Sequence, residues 1–189
     1  MHSVPDTIIP AAGASQRMGQ WKLALPWRGG WVIDAVVACT HQAGSRAIVV
    51  AHDNRLIERF RSVPNVAPVW NPAPERGMFS SIKCGVAELQ SDWAFVLPAD
   101  MPLVPAAVFG MLRDAVTHAA PARAFRPVYD GKPGHPVLLP PAVLKRVRAL
   151  PPDATMRAAL EGVPMVALPS QDPGVTIDLD TIEQYRRYR

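Results

Sequence analysis

Two rhythms of apolar residues run through this chain. At Thr7 to Ala11, Arg46 to Ala51, Val66 to Trp70 and Trp93 to Leu97, apolar residues fall on consecutive positions, which predicts strands buried on both faces. Between them apolar positions recur at helical spacing. Helices are expected at Val32 to Gln42, Asn54 to Ser62, Ser80 to Leu89 and Pro105 to His118. Asn54 has the side chain of an N-cap, and Pro105 suits a first helical turn. Strands alternating with helices predict βαβ units, and hence a mostly parallel sheet in a three-layer α/β/α sandwich.

Beyond Pro121 the texture changes. Ala124 to Tyr129 and His135 to Leu139 read as two strands joined by the turn-rich run Asp130-Gly131-Lys132-Pro133-Gly134, a C-terminal β-hairpin elaboration of the same sheet. A helix at Pro141 to Leu150, a short helix at Asp153 to Glu161, strands near Met165 to Leu168 and Val175 to Ile177, and a last helix from Thr181 to Tyr188 complete the reading. No internal repeat and no low-complexity tract interrupts it. The whole chain, 1–189, is expected to form a single domain.

Composition narrows the class. Of 189 residues, 49% are hydrophobic and 19% charged, enough apolar material for a full core and too little charge for a disordered chain. The 21 prolines are dispersed and punctuate many short elements. A net charge of +4 attracts a small anion, while no basic stripe interleaved with aromatics marks a nucleic-acid surface. No signal-peptide pattern is visible at Met1 to Asp6. The longest uncharged apolar run, Met101 to Leu112, contains Pro102, Pro105 and Gly110 and falls short of the roughly 20 residues a membrane span requires. A cytoplasmic protein without membrane contact is expected. Cys39 and Cys84 form no CxxC, so neither a disulfide scaffold nor a zinc site is indicated.

In an open parallel sheet, ligands bind beyond the carboxyl ends of the strands. The first strand runs into Ala11-Ala12-Gly13-Ala14-Ser15-Gln16-Arg17-Met18-Gly19-Gln20-Trp21-Lys22, where small residues let backbone N–H groups approach an anion and Arg17 and Lys22 supply positive charge. The spacing matches neither GxxxxGK[ST] nor GxGxxG. From the residues alone, a phosphate cradle and an ordinary βα loop with two solvated cations stay open as readings. At the end of the fourth strand, Asp100 offers a hard oxygen ligand of the kind Mg²⁺ uses beside a triphosphate, or caps the following turn. Asp178 and Asp180 offer two more carboxylates, with Asp180 alternatively the N-cap of the last helix.

Taken in order, these residues resemble a known family. Ala11-Ala12-Gly13-x-Ser15-x-Arg17-Met18-Gly19-x-x-Lys22-Leu23-x-Leu25-Pro26 is similar to the signature loop of the MobA-like nucleotidyltransferases, particularly their molybdenum cofactor cytidylyltransferase branch. Asn71 with Gly77-Met78-x-Ser80-Ser81-Ile82-x-x-Gly85, then Pro98-Ala99-Asp100-Met101-Pro102, Gly134-His135-Pro136 and Asp178-x-Asp180-Thr181 follow in the family's order and span nearly the whole chain.

The resemblance implies a Rossmann-like fold and transfer of a nucleotidyl group from an NTP, CTP before GTP, to a phosphate-bearing acceptor, the molybdenum cofactor, with release of pyrophosphate. It implies that Ala11, Ala12, Gly13 and Ser15 line the nucleotide pocket and that Arg17 and Lys22 hold the triphosphate. It implies Asn71, Gly77, Ser80 and Ser81 as a second nucleotide-facing loop and Gly134, His135 and Pro136 on the acceptor side. Asp100 with Asp180, or Asp178 in its place, would hold Mg²⁺, and Lys22, Arg17 and Asp100 would carry catalysis. A transient contact with a molybdoenzyme belongs to the same picture; nucleic acid does not.

Three departures from the family pattern stand out. Pro10 occupies a position usually apolar and leucine-like, and Gln184 stands where an acidic residue is common, with Ile182 where proline is common after the threonine. Rival readings keep the fold: a sugar-1-phosphate or other phosphomonoester nucleotidyltransferase, or a non-catalytic nucleotide- or cofactor-binding accessory protein for a molybdoenzyme. A dinucleotide oxidoreductase is disfavoured by the missing GxGxxG. His2, His41, His52 and His118 lack metal-ligand spacing, Cys39 and Cys84 read as core thiols, the arginines of 186–189 as a solvated helix end, and Trp21, Trp27 and Trp31 as core or lid residues.

Overall fold

A computed structural model describes residues 4–13, 21–117 and 122–189. The predicted helix end at His118 lies outside that set. The first half builds as expected: β1 (Asp6–Pro10), α1 (Val32–Gln42), β4 (Ala47–Ala51), α2 (Asn54–Phe60), β5 (Val66–Trp70), α3 (Met78–Ala87), β6 (Ala94–Val96) and α4 (Ala107–Thr117). Between β1 and α1 stands a two-stranded hairpin absent from the sequence reading, β2 (Pro26–Trp27) and β3 (Gly30–Trp31). Arg28 and Gly29 turn it with φ of 43° and 87°. The second half adds β7 (Ala124–Tyr129), β8 (Lys132–Pro133), β9 (Val137–Leu139), α5 (Pro141–Ala149), α6 (Met156–Ala159), β10 (Met165–Pro169) and α7 (Ile182–Tyr188).

Among the described residues the main sheet has eight strands in the order β10-β7-β9-β6-β1-β4-β5, with β8 paired to β7. β1 runs parallel to β4 and β6, β4 to β5, and β10 to β7. β9 runs antiparallel to both β6 and β7. The C-terminal hairpin is therefore no appendage at an edge: its return strand is inserted between β6 and β7 and joins the two halves into one sheet.

Side chains alternate between the two faces, as strand geometry requires. Ile9, Val49, Phe95 and Phe125 pack with α1, α2 and α4 on one side. Ile8, Ile48, Val96 and Ala124 pack with α3 and α5 on the other. This is a three-layer α/β/α sandwich. Pro10 fits β1 because of the parallel hydrogen-bond pattern. The N–H groups of Thr7 and Ala11 donate toward β4, to Arg46 and Val50 at 2.8 and 2.7 Å, so the position of Pro10 faces β6. The β1–β6 pairing ends at Ile8↔Val96, and the proline lies past its last rung.

Six local expectations change. Asp53, not Asn54, caps α2, its carboxylate accepting from the Arg55 N–H at 2.8 Å, and the helix stops at Phe60, short of Ser62. α4 begins at Ala107, two residues after Pro105, and α3 at Met78, ahead of the predicted Ser80. The predicted strand Val175 to Ile177 is instead a 3₁₀ turn, Pro173–Thr176. Asp172 nucleates that turn by accepting from the Gly174 N–H at 2.7 Å, and Pro173 presets its first φ. Finally, Thr181 caps α7, so Asp180 is released from that duty.

A third apolar cluster, Trp27, Val32, Leu179 and Tyr185, seals the end of the sheet where the site lies. The Tyr185 hydroxyl donates to the Pro26 carbonyl at 2.5 Å, and the Leu179 N–H donates to the Asp100 carbonyl at 2.9 Å. The C-terminal segment is thus strapped across the strand ends by a buried leucine. Truncation there leaves a cavity, and Leu179→Ala should destabilise the fold by about 2–5 kcal/mol. Urea unfolding measures this; a loss under 1 kcal/mol would show that the strap does not anchor the segment.

Candidate functional site

Two carboxylates and one ammonium meet at the C-terminal ends of β1 and β6, with a third carboxylate, Asp178, near enough to feel their charges. Lys22 opens a 3₁₀ turn, Lys22–Ala24, on the loop after β1. Its Nζ donates to Asp100 Oδ2 at 2.5 Å and to Asp180 Oδ1 at 2.8 Å. Asp100 sits in the turn four residues past the last residue of β6. Asp180 sits at the strap that Leu179 anchors. Because Leu179 is buried, its neighbours Asp178 and Asp180 project away from that core, and both reach the site.

The electrostatics follow from this crowding. Burial pulls the Lys22 ammonium down, but the hydrogen bonds and charges of Asp100 and Asp180 outweigh it and hold its pKa above the ordinary lysine value. Burial, then the charges of Asp180 and Asp100, push the Asp178 carboxyl up, and Lys22 offsets only part of this. Three acids therefore share one lysine among the described residues. Gln184 completes the frame: its Oε1 accepts from the N–H groups of Asp180 and Thr181 at 2.9 and 2.8 Å. A neutral amide oxygen does the capping work of a glutamate here without adding a fourth negative charge.

Trp21 fixes the approach of Lys22. Its ring meets Trp31 edge-on, with centroids 5.9 Å apart, and the Arg55 guanidinium lies 4.1 Å over its face. Arg59 stacks 4.1 Å over Trp31 and pairs with Asp34, which also accepts the Trp31 N–H. Trp27 is a core residue. Of the small-residue loop, Ala11 is buried, Ala12 half-buried and Gly13 exposed. Ser15 and Arg17 lie outside the described residues.

Asn71, Ser80 and Ser81 are brought together and buried. Asn71 Nδ2 donates to both hydroxyls at 2.9 Å, and its Oδ1 accepts from the Ala73 N–H at 2.9 Å. Ser80 Oγ donates to the Gly77 carbonyl at 2.8 Å. Gly77, with φ of 83°, turns the chain into α3 in a conformation that a side chain disfavours. These polar groups satisfy one another, so they frame the 71–77 loop and present its backbone. His52 supports the frame from outside, donating from Nδ1 to the Asn71 carbonyl at 2.7 Å.

On the opposite flank, Gly134 packs so closely on the Val175 carbonyl that an added Cβ would stand 2.4 Å from its oxygen. Its N–H donates to the Pro127 carbonyl, and the His135 N–H to the Val175 carbonyl, both at 2.8 Å. The His135–Pro136 bond is cis. His135 Nδ1 is buried without a hydrogen-bond partner among the described residues. Cys39 is remote from this chemistry: its thiol donates to the Val104 carbonyl at 2.9 Å, and burial pushes its pKa up to about 12.

Comparison with known proteins decides the family. Residues 7–170 match the model of the MobA-like NTP transferase domain. The chain belongs to that family. Molybdenum cofactor cytidylyltransferase from Escherichia coli K12 is 31% identical over 185 residues, covering 97% of this chain and 94% of that protein. Molybdenum cofactor guanylyltransferase from Xanthomonas euvesicatoria is 34% identical over 105 residues, covering 56% of this chain and 51% of that protein. A nucleotidyl transferase from Methanothermobacter superposes with a TM-score of 0.83 at 22% identity, covering 98% of this chain and 96% of the other. Molybdopterin-guanine dinucleotide biosynthesis protein A from Archaeoglobus fulgidus does so at 0.71 and 17% identity, covering 96% and 95%. The MobA-like fold matches these neighbours from end to end. No helix among the described residues is long and apolar enough to cross a membrane.

The donor set suits a divalent cation. Two carboxylates already converge on a positive charge, the Lys22 ammonium, and all the oxygens are hard ligands. Among the described residues no group of three or more His, Cys, Asp or Glu is arranged to hold a metal. Two protein carboxylates completed by phosphate oxygens is the arrangement Mg²⁺ favours over an all-protein cage.

Sequence reasoning overlooked Arg126, whose Nε is also buried without a partner among the described residues. Its only signal was a cation inside a strand that otherwise reads as apolar.

Burial pushes the His135 pKa down, opposed by a hydrogen bond with the Val96 backbone and the charge of Asp100, and aided by that of Arg126. A base whose pKa is depressed on folding binds protons more readily when unfolded. Its contribution to stability is intact above the ordinary value of 6.5 and is lost as pH falls below 6.5 toward the folded pKa. Urea unfolding of the wild type and His135→Asn between pH 7.5 and 5 should show a steeper acid loss in the wild type; parallel curves would remove His135 as the cause.

Proposed function

We propose that this protein transfers the CMP group of CTP to the phosphate of the molybdenum cofactor and releases pyrophosphate. The observation that carries the reading is the Lys22 ammonium bridging Asp100 and Asp180 at the ligand-binding edge of a MobA-like sheet. The end-to-end match with the E. coli cytidylyltransferase supports the base and the acceptor, since the guanylyltransferase match covers little more than half of either chain. The same reading takes residues 1–189 as a single nucleotidyltransferase domain. In support, β9 ties both halves into one sheet and the C-terminal strap packs on its strand ends.

The chemistry asks little of the protein beyond positioning and charge. An oxygen of the acceptor phosphate attacks the α-phosphorus and forms a new P–O bond; the bond from that phosphorus to the β-phosphate bridging oxygen breaks, and its electron pair leaves with pyrophosphate. Lys22, already protonated and aimed by Trp21, exchanges carboxylate contacts for triphosphate oxygens and meets the charge that develops there. Arg17 adds a second cation to the same loop. The backbone of 11–13 and of the loop framed by Asn71, Gly77, Ser80 and Ser81 lines the nucleotide side, and the 134–136 turn the acceptor side. Asp100 and Asp180 would hold Mg²⁺, with Asp178 the adjoining acid; the cation supplies neutralisation of phosphate charge. The molybdoenzyme that receives the product is the expected transient partner.

Calorimetric titration with CTP and GTP in Mg²⁺ separates the bases, and CTP should bind at least tenfold more tightly. Pyrophosphate release should then require the molybdenum cofactor. Preference for GTP would move the protein to the guanine branch, turnover on a sugar phosphate alone would change the acceptor, and binding without release would leave an accessory protein.

Lys22→Ala should lower kcat by more than tenfold, about 1.4 kcal/mol in the barrier, with the fold retained. A smaller loss removes Lys22 from transition-state stabilisation. Asp100→Asn should abolish most of the Mg²⁺ dependence, and an unchanged Mg²⁺ titration assigns the ligand elsewhere.

A further inference from the structure

One row of residues crosses the central sheet on the face covered by α3 and α5. Pairing registers place Ala67, Ile48, Ile8, Val96 and Val137 side by side along it. The next strand is β7, where Phe125 pairs with Leu138, so the residue beside Val137 is Arg126. Ala167 on β10 closes the row. A guanidinium therefore occupies a position where every other member is an aliphatic side chain. Two residues earlier on the same face, Ala124 is fully buried in the α5 core, so the cation sits where the helix layer gives way toward the site.

Burying part of a cation in such a row is unfavourable unless something compensates it. Nothing among the described residues does. Arg126 forms no salt bridge with them, and its Nε is enclosed without a hydrogen-bond acceptor. Its surroundings connect it to the acceptor flank. The carbonyl of its neighbour Pro127 accepts from the Gly134 N–H, which brings the 134–136 turn against this part of β7. The second enclosed nitrogen without a partner in this region is His135 Nδ1 on that same turn. The Arg126 charge acts on His135, and so do those of Asp100 and Asp178. A cation is thus kept apart from the three acids, on the far side of the turn from Lys22.

We propose that Arg126 binds the phosphate monoester of the acceptor and fixes which oxygen faces the α-phosphorus. The inference rests on the transferase reading above and adds to it a substrate-binding residue. The planar guanidinium matches a phosphate bidentately, whereas Lys22 stands on the loop after β1. A lysine at the same position would supply charge without the fork.

The test uses the full-length chain with Arg126→Leu and Arg126→Lys. Leucine continues the apolar row, so Arg126→Leu should unfold at the wild-type temperature or higher. Titrated with molybdenum cofactor in the absence of nucleotide, Arg126→Leu should bind at least tenfold more weakly than the wild type, and Arg126→Lys should fall between them. Titrated with CTP and Mg²⁺, all three should agree within twofold. Equal cofactor affinity in the wild type and Arg126→Leu overturns the proposal. So does a parallel loss of CTP affinity, which would place Arg126 at the triphosphate, and so does a lowered unfolding temperature in both variants, which would make the residue structural. A wild type that binds the cofactor through Arg126 yet releases no pyrophosphate refutes the transferase reading and leaves this assignment standing. A wild type that binds CTP but no cofactor overturns both.

Discussion

The ammonium of Lys22 joins three parts of the chain that nothing local holds together. Its partners lie 78 and 158 residues away. Each is delivered by a different device: Lys22 by the Trp21 clamp, Asp100 by the end of β6, and Asp180 by a strap whose anchor is a buried leucine. The apolar work is done at Leu179, Tyr185 and Trp27, so the charged residues need not hold the fold together and are available to a ligand. That division of labour matters because a partly buried ion pair contributes little net stability once desolvation is counted. The pair defines a place for charge; packing defines the structure.

The parallel core and the order of its elements could be read directly, because strands buried on both faces leave continuous apolar runs such as Ala47 to Ala51. The exceptions have physical reasons. The hairpin of β2 and β3 has two residues per strand, too few for any period, although Gly29-Gly30 was its turn signal. Val175 to Ile177 carries β-branched residues and reads as extended, but Asp172, Pro173 and Gly174 start a 3₁₀ turn just before it. Propensity lost there to a side-chain cap. Asp53 took the cap from Asn54 for a similar reason, since a carboxylate one residue earlier reaches the Arg55 N–H in the first turn.

At the site, residue types were legible and their relations were not. Lys22 and Asp100 could be picked out as neighbours of strand ends, but only the sheet order puts them 2.5 Å apart. The alternation of Asp178, Leu179 and Asp180 suggested that leucine turns inward; the contact of Leu179 with the Asp100 loop is what brings both acids to one place. Asn71, Ser80 and Ser81 carry the motif, yet their side chains are spent on one another. What they hold still is the backbone of the 71–77 loop. Gly134 likewise belongs to the motif for a packing reason, its hydrogen atom being all that fits against Val175. A motif residue is therefore not automatically a contact residue: Asn71, Gly77, Ser80, Ser81 and Gly134 shape loops.

Charge is distributed across the site in a way that a two-substrate transfer explains. Around Lys22 the acids outnumber the described cations, and burial together with the charges of Asp180 and Asp100 raises the pKa of Asp178. Across the 134–136 turn the imbalance reverses, with Arg126 in an apolar row and no acid beside it among the described residues. Neutralising either pole by mutation to an apolar residue would relieve a desolvation cost, so folding stability alone does not account for keeping both. Their separation does have a use. An excess of carboxylate oxygen suits a hard cation carrying a triphosphate, and an enclosed guanidinium suits a phosphate that must arrive from the other side without being drawn to the same cation. Two anions that repel each other in water can be held in line only if each meets its own positive charge. The inserted strand β9, which places the 134–136 turn between those poles, is the element of the fold that keeps them apart.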